Sequence, residues 1–438
     1  MTSLDRKLAD LFARTGGHSI KFGLATTRAL LAEMGADPLA LPCVHIAGTN
    51  GKGSTAAMIA AIADAAGLRT GLYTSPHIFH FSERIRINGA PIPDDTLSSL
   101  IDLALSADAR QAAATPSSRP ATFFELTTAI AFKYFLDARV HLAVLETGMG
   151  GRLDATNVVD PIASLIMPIG LEHTDYLGPT LAAIAAEKAG IIKPGRPVII
   201  ADPQPPEVLD VLLDTAAARN APVIRPADRL SICASRPRPS DLPGPQTLRI
   251  QTPDADLPPV RLHLPGPFQV TNAAAAVTAA LHLRDIGFPI TDDAISAGLS
   301  ALRFPGRLQP IADDPPTYLD VGHNPHAAAA LATALRPVRR CRPVLLLCGL
   351  LSDKDATAYF RALRPALTRA YLVTLPPTRG TDARKLLAAA TAAGLPAEIL
   401  PLDTALQTAQ SAARAESALL LIAGSFHLPP ALGLAPSP

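Results

Sequence analysis

The stretch Val44-His45-Ile46-Ala47-Gly48-Thr49-Asn50-Gly51-Lys52-Gly53-Ser54 decides how the chain is read. Val44 to Ala47 is a short apolar run suited to a buried strand. Ser54 to Ala66 reads as a helix that Gly67 stops. Between the two, glycines at 48, 51 and 53 allow a tight turn and aim backbone N–H groups at phosphate oxygens. The helix adds the positive end of its dipole. Lys52 can neutralise β- and γ-phosphates, and a hydroxyl at Ser54 or Thr55 can reach Mg²⁺ or a phosphate oxygen. The general pattern G-x-x-x-x-G-K-[ST] is not met, because Ile46 stands at the first glycine and Gly53 follows the lysine. Taken alone, the loop also fits a glycine-rich turn with a solvated lysine.

The alternation continues on the C-terminal side. Thr70 to Tyr73, Leu142 to Leu145, Ile162 to Met167 and Val198 to Ile200 read as strands, with a helix over Thr122 to Leu136. Buried strands alternating with helices imply a mostly parallel sheet covered on both faces. The proline-rich stretch 202–264 reads as a helix followed by a small β-rich insertion. A helix opened by Asn272 follows, from Thr271 to Leu283. Phe304-Pro305-Gly306-Arg307 marks a junction. Beyond it come strands at Tyr318 to Val321, Val344 to Cys348, Ala370 to Val373 and Leu419 to Ile422, and a helix from Pro325 to Leu335 with proline in its first turn. The expectation is two α/β units, 1–300 and a smaller Rossmann-like 301–438, with a site in the cleft between them.

Composition narrows the classes. The 438 residues are 48% hydrophobic and carry a formal net charge of +1, which argues against a large nucleic-acid surface. No stretch offers the ~20 continuous apolar residues of a membrane span. The charged opening MTSLDRKLADLFART lacks an apolar signal core. Four cysteines without metal spacing (Cys43, Cys233, Cys341, Cys348) read as reduced, mostly buried thiols of a cytoplasmic protein.

Further segments carry a resemblance. They are Thr74-Ser75-Pro76-His77, Thr122-Phe123-Phe124-Glu125, the run Glu146 to Asn157 (ETGMGGRLDATN), Gly170-Leu171-Glu172-His173-Thr174-Asp175, Glu187-Lys188-Ala189-Gly190, Phe304 to Arg307, Asp320-Val321-Gly322-His323-Asn324-Pro325 and Ser352-Asp353-Lys354-Asp355. Together with the GTNGKGS loop, and in this order, they resemble the folylpolyglutamate synthase/dihydrofolate synthase family of the Mur ligase superfamily. The family's fold is a P-loop central domain with a smaller Rossmann-like C-terminal domain. The resemblance implies an ATP-dependent ligase. ATP phosphorylates a carboxylate of dihydropteroate or of a folate's terminal glutamate, and the amino group of L-glutamate attacks the acyl phosphate. One departure lies at Gly23-Leu24, which Ala25-Thr26-Thr27 follows where the family often has an acidic–basic pair. Val321 also stands where a small residue is common.

The resemblance also distributes roles. Gly48, Thr49, Asn50, Gly51, Lys52, Gly53 and Ser54, with Asn272, Arg307 and Asp320, would bind the nucleotide. Ser75, Glu146 and His173 would hold two Mg²⁺ ions. Glu146 and Ser75 follow strands, where open sheets bind ligands, and their oxygens suit a hard cation. His173 is less usual for Mg²⁺ and rests on the resemblance alone. Lys52, Lys188 and His323 would act in catalysis, with Lys188 carbamylated into an anionic oxygen ligand. Thr122, Phe124 and Asp154 are candidates for the pterin pocket, where a flat substrate suits stacking on a phenylalanine. The expected partners are small molecules, with no nucleic acid or membrane, and the expected state is a monomer. Two other readings stay open. A Mur-type UDP-sugar ligase would need a further domain before the loop, and Lys52 follows only 51 residues. A non-catalytic nucleotide-binding protein would be expected to lack some of the metal and phosphate groups.

Overall fold

The computed structural model describes residues 3–14, 23–114, 119–235, 243–376 and 380–436. The apolar runs become the strands of two sheets. The first holds β1 (Cys43–Ala47), β2 (Thr70–Tyr73), β3 (Ile85–Ile87), β4 (Ala90–Pro91), β5 (Leu142–Glu146), β6 (Ala163–Ile166), β7 (Val198–Ile200) and β8 (Val223–Ile224). Their order is β4-β3-β2-β5-β1-β6-β7-β8. From β2 across to β8 in that order the pairs are parallel, while β3 and β4 run antiparallel at one edge. Every residue of β1, β5 and β6 is buried, because helices cover both faces. Lys52–Ala65 and Phe268–Asp285 pack on one face, and Ala25–Glu33, Asp94–Ala114 and Phe123–Asp137 on the other. β1 is central: the chain builds β2 and β5 to one side of it and β6 to β8 to the other. Ligands bind outside strand C-termini at such a switch point, and the 48–51 loop leaves β1 there.

The 202–264 stretch gives the helix Pro206–Ala218 and then a small antiparallel sheet. Its strands are β9 (Ser231–Ala234), β10 (Gln246–Gln251) and β11 (Val260–Leu262). Alternate residues of β10 are buried, so one face joins the core beside Phe268–Asp285.

The second large sheet is β12 (Gln309–Asp313), β13 (Pro316–Asp320), β14 (Val344–Cys348), β15 (Arg369–Leu372), β16 (Ala397–Ile399) and β17 (Leu419–Ala423). Its order is β12-β13-β17-β14-β15-β16, parallel except for the β12–β13 hairpin. β14 and β17 are wholly buried between two clusters of apolar side chains.

Three expectations need correction. The helix expected from Thr271 begins at Phe268, with Pro267 at its cap in helical φ/ψ, so Asn272 lies inside it rather than opening it. The helix from Pro325 runs to Arg339 through Pro337, because Val338 still reaches the core. Cys43 and Cys348 are buried, but Cys233 and Cys341 are exposed; Cys233 takes an outward position on β9. Among the described residues no helix is long and apolar enough to cross a membrane.

Candidate active site

The phosphate loop is shaped by close approach. Gly48 (φ +150°) and Gly51 (φ +86°) use backbone space that L side chains rarely enter. A Cβ at Gly48 would lie 2.5 Å from Met167 Cβ, and one at Gly51 would lie 2.4 Å from Asn272 Oδ1. Asn272 is buried under the loop and held by Gln269, to whose Oε1 its Nδ2 donates at 2.8 Å. Lys52 curls over the turn and donates to Gly48 O (2.9 Å) and Thr49 O (3.1 Å). Its ammonium therefore already sits where the loop's groups converge. Thr49 is tied to Gly170 by a reciprocal pair, Thr49 Oγ1 to Gly170 O and Gly170 N–H to Thr49 Oγ1, each 3.0 Å. Ser54 is buried, and Thr55 Oγ1 is buried without a protein partner.

Glu146 ends β5 beside this loop. Its Oε2 accepts from the Ser75 N–H at 3.0 Å, and a Cβ at Gly53 would lie 3.3 Å from the same oxygen. Burial pushes the Glu146 carboxyl up, while Lys52, the Ser75 N–H and Arg307 pull it down. Glu146, Ser75 and Gly53 share a cleft with Phe304, Arg307 and Phe426 from the second half of the chain. Arg307 lies between two rings, with its guanidinium carbon 5.6 Å from the Phe304 centroid and 5.5 Å from that of Phe426. Burial lowers its pKa, and Asp320 and Glu146 oppose this.

The other flank carries a buried ion pair. Lys188 Nζ, 1% exposed, meets Glu172 Oε1 at 2.6 Å and donates to Gly48 O at 2.8 Å. Burial lowers the Lys188 pKa and Glu172 raises it. Burial alone would raise Glu172, but Lys188 and Lys52 hold it at about 2. His173 follows in the left-handed region (φ 48°) at the start of the short turn Thr174–Leu177. Burial lowers its pKa, against the pull of Glu172.

From the second sheet, Asp320 ends β13 and accepts from Gly322 N–H (2.7 Å) and Leu308 N–H (3.0 Å). Burial raises its pKa and Arg307 lowers it. His323 Nδ1 donates to Val321 O at 3.0 Å, and burial brings its pKa down to about 4. The ring is neutral near pH 7, and its Nε2 is the acceptor nitrogen. Phe426 packs edge-on against it, centroids 5.8 Å apart.

The three candidates for the pterin pocket have structural duties as well. Thr122 caps the helix Phe123–Asp137 in a capping box with Glu125. Asp154 Oδ1 accepts from Thr156 N–H (3.0 Å) and Oγ1 (2.5 Å), and Oδ2 accepts from Met149 N–H (2.8 Å). The Phe124 ring closes over Gly148, where a Cβ would lie 2.4 Å from Phe124 Cζ. Gly53, Ser75, Glu146 and Arg307 thus gather at the cleft, and the charge of Lys52 reaches Glu146 from the loop. Lys188 lies against Gly48 O on the loop, Phe124 covers Gly148 just after Glu146, and the charge of Asp154 reaches Lys188.

Residues 46–280 match the family model for the Mur ligase middle domain, and 306–426 match that for the Mur ligase, glutamate ligase domain. The folylpolyglutamate synthase of Lacticaseibacillus casei is 36% identical over 341 residues, which is 76% of this chain and 77% of the relative. The dihydrofolate synthase/folylpolyglutamate synthase of Escherichia coli is 33% identical over 414 residues, covering 93% and 90%. The chain belongs to the folylpolyglutamate synthase/dihydrofolate synthase family. A crystal structure of Mycobacterium tuberculosis folylpolyglutamate synthase complexed with ADP and AMPPCP has a TM-score of 0.88 and 32% identity, covering 98% of this chain and all of that one.

In this folylpolyglutamate synthase/dihydrofolate synthase family member, the donor set suits a nucleotide-borne cation. Among the described residues no three His, Cys, Asp or Glu side chains cluster to hold a metal by themselves. One buried carboxylate beside a serine is what Mg²⁺ needs when phosphates and water supply the remaining oxygens. Sequence reasoning missed Glu172 as the partner of Lys188, and Phe304 and Phe426 as the rings around Arg307. The Glu172–Lys188 spacing of 16 residues spans two elements, and Phe426 lies 119 residues from Arg307, so neither has a local signature.

Proposed function

We propose that the chain is an ATP-dependent ligase that adds L-glutamate to dihydropteroate and to the terminal glutamate of folates, through an acyl phosphate. The observation that carries this is the cleft itself, where Gly53 at the end of the phosphate loop, Glu146 and the second half's Arg307 line one cavity. The loop N–H groups and Lys52 bind the ATP phosphates, with Asn272 supporting the turn and Asp320 on the ribose side. Ser75, Glu146 and His173 would hold two Mg²⁺ ions, which would neutralise phosphate charge. Arg307 draws charge from the transferred phosphoryl group, and the two aromatic rings keep it aimed. His323, neutral near pH 7, meets the incoming glutamate or its phosphate. Thr122, Phe124 and Asp154 receive the pterin. Positioning and electrostatics supply the rate, and closure of 301–438 on 1–300 shields the acyl phosphate from water.

Carbamylation of Lys188 belongs to the same reading. Burial favours the neutral amine that carbon dioxide requires, whereas Glu172 favours the ammonium. A carbamate beside Glu172 needs a cation between them, so the modification and the bound metal stand or fall together. The working state is a monomer in the cytoplasm with small-molecule partners only. The test is phosphate release by the purified chain with ATP and L-glutamate, supplying dihydropteroate and tetrahydrofolate in turn. Turnover with both supports a bifunctional ligase, and turnover with neither would sink the proposal.

A further inference from the structure

Asn50 ties the phosphate loop to the second half of the chain. Its Nδ2 donates to Asn324 Oδ1 (3.2 Å), and Asn324 Nδ2 donates back to Asn50 Oδ1 (3.1 Å). Asn50 Nδ2 also lies 2.7 Å from His326 Nδ1. These contacts join residues 274 and 276 positions apart. Asn324 is buried, at 7% exposure, while His326 lies exposed at the rim. Asn324 also serves its own helix, because its Oδ1 caps Pro325–Arg339 by accepting from Ala327 N–H at 2.7 Å. One amide thus fixes the start of a helix in the second half and grips the nucleotide loop of the first.

The surroundings make this joint rigid on both sides. Asn50 adjoins Thr49, which is locked to Gly170, and a Cβ at Gly170 would lie 3.1 Å from the His326 ring. Just before Asn324 stands His323, anchored on Val321 O. Helix start, His323 and phosphate loop are therefore held in one frame.

We infer that Asn324 is a positioning residue: its amide, through Asn50, sets the register of the C-terminal half over the phosphate loop. The inference rests on the proposed ligase reading for its effect on turnover. The joint itself does not depend on that reading. His326 acts as an outer support, weakened by its exposure to water. ATP phosphates bind the loop through backbone N–H groups, so nucleotide affinity depends little on the joint. The transfer step needs Arg307 and His323 in register with the loop, so turnover depends on it strongly.

The variant that separates capping from pairing is Asn324→Ser in the full chain. Serine caps a helix about as well as asparagine but is too short to pair with Asn50. The expected result is a melting temperature lowered by no more than a few degrees, because the cap is kept while the pairing is lost, and an affinity for a non-hydrolysable ATP analogue within about threefold. kcat should fall by about tenfold, the scale of two lost, partly buried hydrogen bonds. Hydrogen–deuterium exchange, read without substrates, should quicken at both 48–53 and 322–328. Equal exchange in variant and parent would overturn the joint, whatever the turnover. Faster exchange with kcat within about twofold of the parent would overturn the positioning role. Loss of analogue affinity as large as the loss of kcat would also overturn it, by showing plain support of the loop. If the parent ligates neither acceptor, the ligase proposal fails alone, and exchange still decides the joint.

Discussion

His45 lies in the middle of β1 with no exposed surface, and its Nε2 meets Thr156 Oγ1 at 2.8 Å. Thr156 gives its own proton to Asp154 Oδ1, so His45 Nε2 is the donor and the ring is neutral. Its Nδ1 is buried without a protein partner. Burial first, then Lys193, pushes its pKa from 6.5 down to about 3. Between those two values the unfolded chain binds a proton that the folded chain refuses. The contribution to stability is complete above pH 6.5 and is lost as pH falls toward 3, by up to about 1.4 kcal/mol per pH unit. The variant His45→Gln cannot take up that proton. Urea unfolding from pH 7 to pH 4 should therefore show a steeper loss in the parent than in His45→Gln. Parallel curves would mean that His45 is not held neutral. The same short chain anchors Asp154, so a residue inside the sheet fixes the loop over 148–156 from below.

At the scale of elements, the helix Phe123–Asp137 shows how local chemistry and site chemistry share one residue. Thr122 N–H donates to Glu125 Oε2 at 2.8 Å and Glu125 N–H donates to Thr122 Oγ1 at 3.3 Å, while Arg119 pairs with Glu125. Thr122→Ala should cost about 1 kcal/mol in chemical denaturation, and Thr122→Ser should stay near the parent. Equal stability in all three would remove the capping role and leave only a substrate contact. This helix was legible because its cap, its apolar run and its length all agree in sequence. So were β1, β2, β5, β6, β7, β14 and β17, which are short, mainly apolar runs with every residue buried. The β3–β4 ribbon was not, because its strands are only 3 and 2 residues long and Arg86 interrupts the apolar pattern of the first. Nor was the start of the helix at Phe268, where Pro267 takes helical dihedrals although Asn272 looks like the better cap. The candidate site was legible in its residues, since each sits in a short, dense motif. Its arrangement was not. Nothing near Asn50 in sequence points to Asn324, and nothing near Arg307 points to Phe426.

For the whole molecule, what matters is how two sheets are held with the loops that follow their strands on one cleft. Gly306 sits at that seam with φ +68°. Its carbonyl accepts from Val321 N–H and from the Arg307 guanidinium, both at 3.0 Å, and its N–H donates to Gln309 Oε1 at 2.9 Å. A Cβ there would lie 2.7 Å from Ile78 Cδ1, from the first half, and 3.0 Å from Val321 Cγ1, from the second. Gly306→Ala therefore adds backbone strain and pushes the Ile78 and Val321 side chains, one from each half, out of place beside Arg307. Gly67 provides the control, because it has φ +78° and nothing within 4 Å of an added Cβ. Gly67→Ala carries the same kind of strain, of order 1 kcal/mol, away from the seam. Both variants should lose a little melting temperature. Only Gly306→Ala should lose turnover, by about ten- to hundredfold, since a displacement near 1 Å of a positioned group has effects of that size. Matching activities in the two variants, each measured at saturating ATP, would show that the seam does not aim Arg307. A loss confined to Gly306→Ala would show that the fit between the halves, beyond the folding of each, governs the transfer.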